Sequence, residues 1–225
     1  RQSLAMVDPQ GSHYQGRSVV VGLSDDFEIA YGRQLIDEIA RRAPKLRLIF
    51  RQTHSQIVAG ALLDRSLDLA ITAGGFAERR LSRQVLGEGH YACLADPATL
   101  ALGQQAIDLD EFVRREHVLV SSGGFIGITD ESLAAQGLSR HIGASTTHFA
   151  ALPFLLKGSQ AVATIPGHAA QAIARMTGLT VLPCPLALPR YPVELGWRTQ
   201  AQLDPLQRLV REAIEACFTS PPSGD

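Results

Sequence analysis

Seven histidines, 22 acidic residues and a scatter of serines invite a search for catalysis, but catalysis needs those types at fixed spacings. A hydrolase elbow requires Gly-x-Ser-x-Gly on a strand-to-helix turn, and the pattern is absent from the sequence. His-Glu-x-x-His and Gly-x-x-x-x-Gly-Lys-Ser/Thr are absent too. Gly22 to Ser24 imitates the start of a dinucleotide loop, yet Asp25, Asp26 and Phe27 replace the remaining glycines. Two aspartates at a helix start would repel a pyrophosphate. No catalytic residue, metal ligand or cofactor site is assigned.

The chemistry left is reversible binding. Ser121-Ser122-Gly123-Gly124 follows an apolar run; its backbone N–H groups could cradle a carboxylate or phosphate, and an ordinary flexible loop reads equally well. His148 falls at an expected helix start, where the helix dipole disfavours imidazolium and a neutral ring exchanging one hydrogen bond fits. His13, His54, His90, His117, His141 and His168 rank below it. Ser24, Asp25 and Ser55 are helix caps first, with ligand contact a second use of the same oxygens. Phe76 and Phe149 read either as apolar walls of a pocket or as plain core. Trp197 reads as packing, and Arg41-Arg42 and Arg79-Arg80 as solvated faces.

The element that must position this set is Gln56–Phe76. Ile57, Val58, Ala61 and Leu62 mark one face of a helix. Leu67–Thr72 is then a short apolar run stopped by Ala73-Gly74-Gly75, the pattern of a parallel strand covered on both faces. Asp68 lies at its entry, within reach of water or backbone N–H groups. The carboxyl end of such a strand is where an open α/β sheet normally holds a small ligand.

Before it, Ser18–Leu23 reads as a first strand. A helix follows through Phe27, Tyr31, Leu35 and Ile39 to Pro44, then a second strand over 46–50, with Ser55 capping the next helix. This is β-α-β-α-β, half of a doubly wound sheet. Residues 84–95 form a longer extended run that leaves this half. The second half repeats the alternation: helix 109–115, strand 117–120, helix 130–136 closed by Gly137, strand 141–144, a helix 148–157 capped by Thr147, strand 162–165, a helix begun by Pro166 and ended near Gly178, and strand 179–182. Val193–Trp197 returns as a strand, and Asp204-Pro205 opens a last helix with Leu206, Leu209, Val210, Ala213, Ile214 and Cys217 on one face.

The 225 residues suffice for one large or two small cores. Hydrophobic residues at 45% and charged residues at 19% argue against disorder. A net charge of −1 with interleaved signs offers no electrostatic grip on DNA or membrane. No apolar run approaches the roughly 20 residues of a bilayer span, and Arg1–Arg17 lacks the apolar core of a signal peptide. Cys93, Cys184 and Cys217 are odd in number, widely spaced and in apolar company, which suits reduced packing residues of a cytoplasmic protein rather than a disulfide framework or zinc site.

Several segments resemble the effector-sensing domain of LysR-type transcriptional regulators. They are Val21-Gly-Leu-Ser-Asp25, Arg42-Ala-Pro44, Leu67-Asp-Leu-Ala-Ile71, the helix from Asp130 to Gly137, Thr147-His-Phe-Ala-Ala-Leu-Pro153, Ala163-Thr-Ile-Pro166 and Leu195-Gly-Trp197. The likeness runs from Ser18 to Phe218, and Thr147-His-Phe and Thr164-Ile-Pro look most like the branch of nodulation and aromatic-degradation regulators. It implies an α/β fold of two Rossmann-like subdomains joined by two crossing strands, of the type 2 periplasmic-binding-protein-like kind. Subdomain I is expected over 18–95 and 193–219, subdomain II over 96–192, and a linker remnant over 1–17. The expected function is to hold a small aromatic or carboxylate-bearing effector in the cleft between subdomains, near Ser24, Asp25, Ser55, Phe76, Ser121, Ser122, Thr147, His148 and Phe149, without reaction. The family's winged helix-turn-helix is not in this sequence, so DNA would be read only through that missing part. A homodimer or homotetramer is implied, pairing through the face of helix 27–43, with no membrane partner. A transport solute-binding protein, or an enzyme on the same two-domain frame, is the alternative.

Overall fold

The computed structural model describes residues 14–123 and 126–219. Residues 1–13 of the expected linker, His13 among them, and Gly124 of the serine–glycine loop lie outside the described residues. In chain order the elements are β1 (Ser18–Leu23), α1 (Asp25–Arg42), β2 (Arg47–Gln52), α2 (Val58–Leu63), β3 (Leu69–Thr72), β4 (Leu81–Gly89), β5 (Tyr91–Ala95), α3 (Leu109–Arg114), β6 (Glu116–Val120), α4 (Ile128–Ala134), β7 (His141–Thr146), α5 (Leu152–Leu156), β8 (Val162–Pro166), α6 (Gly167–Thr177), β9 (Thr180–Pro183), β10 (Tyr191–Arg198) and α7 (Pro205–Thr219). They divide between two compact units. Of the described residues, the first holds 14–24, Tyr31–Gly87 and 192–219; the second holds Asp25–Ala30 and those from Glu88 to Tyr191. The chain therefore passes between units within β4, within β10, and around the first turns of α1.

In the first unit five strands lie in the order β2-β1-β3-β10-β4. β1 pairs in parallel with β2 and β3, while β10 runs antiparallel to β3. All four residues of β3 are buried, as an apolar strand covered on both faces should be. One face packs Val58, Leu62, Leu67, Ala70, Phe76 and Leu81 into a cluster with α2. Leu206, Val210, Ala213, Ile214 and Cys217 along one stripe of α7 are buried too, and Trp197 is 6% exposed as a packing residue. Asp68 sits where expected: its carboxylate accepts the Val20 N–H at 2.8 Å, and its own N–H reaches Val20 O at 2.9 Å.

The second unit is a five-stranded mixed sheet in the order β7-β6-β8-β5-β9. β6 is parallel to β7 and β8, and β5 is antiparallel to β8 and β9. Leu152, Leu156, Ala169, Ala170 and Ile173 cover one side of this unit's core with Leu94 and Ala163. Phe112 and Leu133 cover another with Cys93, Val162 and Leu182.

Three local expectations are corrected. α2 begins at Val58 with Ile57 at the capping position and no side-chain cap, because the His54 carbonyl already receives the N–H groups of Ile57 and Val58; Ser55 is not the cap. The segment after Thr147 is not one helix of ten residues. It is a 3-10 turn, Phe149–Ala151, followed by the five-residue α5, and the residue before the turn is His148 without a side-chain cap. Asp130, expected to open α4, is its third residue instead, and its carboxylate reaches back to the Gly127 N–H at 2.7 Å.

The second unit also buries a polar cluster. His117 is fully enclosed: its Nε2–H donates to Phe112 O at 2.7 Å, and its Nδ1 faces Arg140 Nη1 at 3.3 Å. Arg140, whose side chain is 1% exposed, pairs with Asp130. Burial first, and the Arg140 charge as well, lower the His117 pKa from 6.5 to about 4. The folded state therefore refuses a proton that the unfolded chain accepts, so this contribution is complete above pH 6.5 and is lost as pH falls toward 4. A shift of that size corresponds to on the order of 3 kcal/mol. Urea unfolding at pH 7 and pH 4.5 should show that loss, and His117→Gln should flatten the dependence across this window; an equally steep slope in the variant would assign the loss elsewhere.

Candidate functional site

Each unit gathers its polar groups where parallel strands end. In the first unit the exits of β1, β2 and β3 release Ser24, Thr53 and Ala73. The Thr53 N–H bonds to Leu23 O at 3.1 Å, which holds two of these exits together. Gly74 and Gly75 have φ of 85° and 100°, a left-handed backbone that glycine adopts without strain. A Cβ on Gly75 would lie 2.3 Å from Ser55 O, so the β3 exit and the turn before α2 touch through bare backbone. Ser55, a ligand-contact candidate in the sequence, thus lies with its backbone against this exit. Phe76 is 3% exposed and packs in the unit's core rather than at its surface, its ring closing over Gly196.

Two residues here escaped the sequence reading. Thr53 is 1% exposed and Glu194 5%, and Thr53 Oγ1 and Glu194 Oε2 have no hydrogen-bond partner among the described residues. Glu194 pairs across the ladder with Thr72, and its other oxygen lies 3.5 Å from Arg83 Nη1. The signal for Thr53 was available: it follows β2 as Ser24 follows β1. Glu194 carried none, since one acid in an apolar strand does not say which strand it will join.

In the second unit the exits of β6, β7 and β8 release Ser121, Thr147 and Gly167. The Ser121 N–H donates to Thr146 O at 2.9 Å, and the Gly123 N–H donates to Ser121 Oγ at 3.0 Å. Thr147 Oγ1 and His148 Nδ1 are 2.9 Å apart, so the threonine engages the histidine instead of capping a helix. Ser122, Thr147 and His148 are exposed, and Phe149 is half-buried against the core. Asp25 is the group that caps this segment: its Oδ2 accepts the Ala150 N–H at 2.9 Å, across 125 residues of sequence. Asp25 Oδ1 is buried without a partner among the described residues. Nearby in sequence, Asp26 Oδ2 lies 2.7 Å from His168 Nε2, and the His168 ring stacks on Phe27 at 4.7 Å between centroids. His168 had been ranked below His148, although it follows β8 as His148 follows β7.

Ser121, Thr147, His148, Phe149 and Asp25 are thus assembled within one unit, and Ser24 and Ser55 within the other. Among the described residues no group of histidine, cysteine and carboxylate side chains is placed to hold a metal ion, and no helix is long and apolar enough to cross a membrane.

Residues 13–218 match the family model of the LysR substrate binding domain. The chain belongs to that family. LysR-domain relatives include the HTH-type transcriptional activator NahR of Pseudomonas putida, 27% identical over 212 residues that make up 90% of this chain and 68% of NahR. Nodulation protein D 3 of Mesorhizobium japonicum is 23% identical, over 94% of this chain and 70% of its own. Among solved structures, the regulatory domain of MexT, a transcriptional activator in Pseudomonas aeruginosa, superposes with a TM-score of 0.81 at 26% identity, covering 88% of this chain and 98% of that one. The effector binding domain of QuiR in complex with shikimate shares the fold, with a TM-score of 0.69 at 14% identity over 90% of this chain and 96% of that one.

The LysR-domain strand exit at Gly75 tolerates little. Gly75→Ala should destabilise the chain by roughly 1–4 kcal/mol through the collision with Ser55 and the positive φ. Gly60→Ala, inside α2 where an added Cβ meets nothing, should instead gain about 0.5–1 kcal/mol. Urea denaturation of both variants checks the contrast; equal midpoints would mean the Gly75 contact relaxes freely.

Proposed function

We propose that this ligand-sensing regulatory domain of the LysR family recognises a small aromatic or carboxylate-bearing effector through its strand-exit groups. In the first unit these are Ser24, Thr53, Ser55 and Glu194, with Phe76 as packing behind them. In the second they are Asp25, Ser121, Ser122, Thr147, His148 and Phe149. What carries the reading is the family match together with polar groups collected at the carboxyl ends of parallel strands, the side of an α/β sheet that faces ligands.

Local chemistry narrows the effector. The exposed Ser122 hydroxyl and His148 ring can donate hydrogen bonds to a carboxylate. Glu194 Oε2 and Asp25 Oδ1, buried without partners among the described residues, want hydrogen-bond donors, because a desolvated acceptor left unmade costs about 1–3 kcal/mol. Within the first unit Glu194 suits a hydroxyl of the effector, and within the second Ser122 and His148 suit a carboxylate. Shikimate, the ligand named with QuiR, has both kinds of group. The effector is bound and released unchanged, and it acts by preferring one state of the protein over another.

In the intact protein we propose that this preference reaches DNA through a winged helix-turn-helix preceding the domain, as the HTH-type relative NahR suggests. The chain spans about two thirds of that relative.

Two measurements test this. Thermal unfolding against a panel of hydroxylated and unsubstituted aromatic and alicyclic acids should find a stabilising class. At a hundredfold excess over Kd the gain is about 2.7 kcal/mol, or roughly 5–10 °C for a domain of this size. Thr53→Val and Glu194→Gln should weaken the hydroxylated members more than the unsubstituted ones. A panel without a stabilising member, or a bound acid recovered as product, would overturn the reading. Separately, we propose pairing through the exposed face of α1, where Ile36 is 39% exposed. Multi-angle light scattering should return twice the chain mass, and Ile36→Glu should return the single chain; a concentration-independent monomer of the unsubstituted chain would exclude the dimer.

A further inference from the structure

Cys93 and Cys184 stand 91 positions apart in sequence and meet in the core of the second unit. Cys93 pairs directly with Leu182 on the antiparallel β5–β9 ladder. Residues two apart on a strand share a face, so Cys184, just past β9, is the diagonal neighbour of Cys93 on that face. Both belong with Phe112, Leu133 and Leu182 in one apolar cluster. Cys93 is fully buried and Cys184 half-buried, so only the second is open to solvent. All three cysteines of the chain are free thiols.

The surroundings differentiate the pair. A hydrogen bond shared with Cys93, the Leu186 N–H and the buried Arg140 charge bring the Cys184 pKa down from 9.0 to about 7 against the opposing effect of partial burial. The same contact, together with burial, drives Cys93 upward. Cys217 is the internal control: burial and then the Glu38 charge raise it to about 11. Reactivity follows the thiolate and its exposure, and a thiol with pKa near ambient pH is close to the optimum for attack.

We propose that Cys184 is a peroxide-oxidisable thiolate and Cys93 its resolving partner, a modification site independent of the effector reading. The Cys184 thiolate attacks one oxygen of a hydroperoxide; the O–O bond breaks, a sulfenic acid forms, and the displaced oxygen leaves as water or alcohol after taking a proton. The Cys93 sulfur then attacks the Cys184 sulfur; the S–O bond breaks, the S–S bond forms, and the hydroxyl leaves as water with the Cys93 proton. Two thiols lose two electrons to one peroxide. The product ties β5 to the connector that follows β9.

The test uses the full chain with hydrogen peroxide at a few equivalents, quenched by alkylation and digested with trypsin without reduction. The cysteines fall on separate tryptic peptides, Gln84–Arg114 and Met176–Arg190. The expected result is those two peptides joined and released by dithiothreitol, with Cys217 alkylated throughout. Cys93→Ser should halt at a Cys184 sulfenic acid that dimedone traps, and Cys184→Ser should leave Cys93 reduced. Wild-type protein in which Cys93 and Cys184 both remain alkylatable, or in which Cys184 proceeds to sulfinic acid without the crosslink, overturns the proposal. Because the crosslink is read on the wild-type chain, a misfolded variant does not decide the matter.

Discussion

Side chains exchange faces when a strand slips by one residue against its neighbour, and the first unit guards against that slip with one carboxylate. Asp68 precedes β3 and takes the Val20 N–H of β1 with its side chain while giving its own N–H to Val20 O. The ladder proper starts one residue later, at Val21 opposite Leu69. Arg198 at the end of β10 reads the same place from the other side. Its Nη1 donates to Leu62 O and Leu67 O at 2.7 Å each, and its Nη2 lies 3.6 Å from Asp68. One acid and one base thus fix the end of α2, the entry of β3 and the end of β10. With the entry fixed, the exit follows: Thr72, then two glycines whose backbone must lie against Ser55.

This explains why so much of the fold could be read from the chain. Ser18–Leu23 and the apolar β3 are local signals, because a short buried strand needs an unbroken apolar run and a glycine stop. Leu67-Asp68 is also local, since an acid next to an apolar strand has few other uses than to take a neighbour's N–H. The caps failed for the opposite reason. Ser55 and Thr147 have the right chemistry, but the His54 carbonyl and a carboxylate 125 residues away reached the open N–H groups first. Capping chemistry is legible in sequence; the winner among competing acceptors is decided by tertiary contact. Pro153 in its first turn and Gly158 just past its end, whose φ is 77°, then accompany an α5 of little more than one turn.

The candidate site divides along the same line. Serines, threonine and histidine directly after strands were legible because position after a strand is a local property. Glu194 and the Asp26–His168 pair were not. A buried acid in β10 becomes informative only once β10 is known to lie beside β3, and His168 only once α1's first turns are known to join the second unit. Phe76 shows the converse: its type suits a pocket wall, while the space above Gly196, where a Cβ would fall 2.2 Å from the ring, draws it into the core.

The buried polar groups of the second unit are a related matter of geometry. Isolated in an apolar core, Arg140 would be prohibitively costly. It is tolerable because Asp130 takes two of its N–H groups at 2.8 and 2.9 Å and the neutral His117 accepts a third. Each member is useful only while the others hold: a protonated His117 would face the guanidinium, and a protonated Asp130 would release it. Asp130 is held below its usual range by those arginine hydrogen bonds and the Gly127 N–H, against its own desolvation. The same guanidinium lends its field to Cys184. A charge buried beside the β6–β7 edge therefore also adds, behind the Cys93 and Leu186 hydrogen bonds, to the lowering of the Cys184 thiol pKa, because low-dielectric surroundings let one charge act on every group near it.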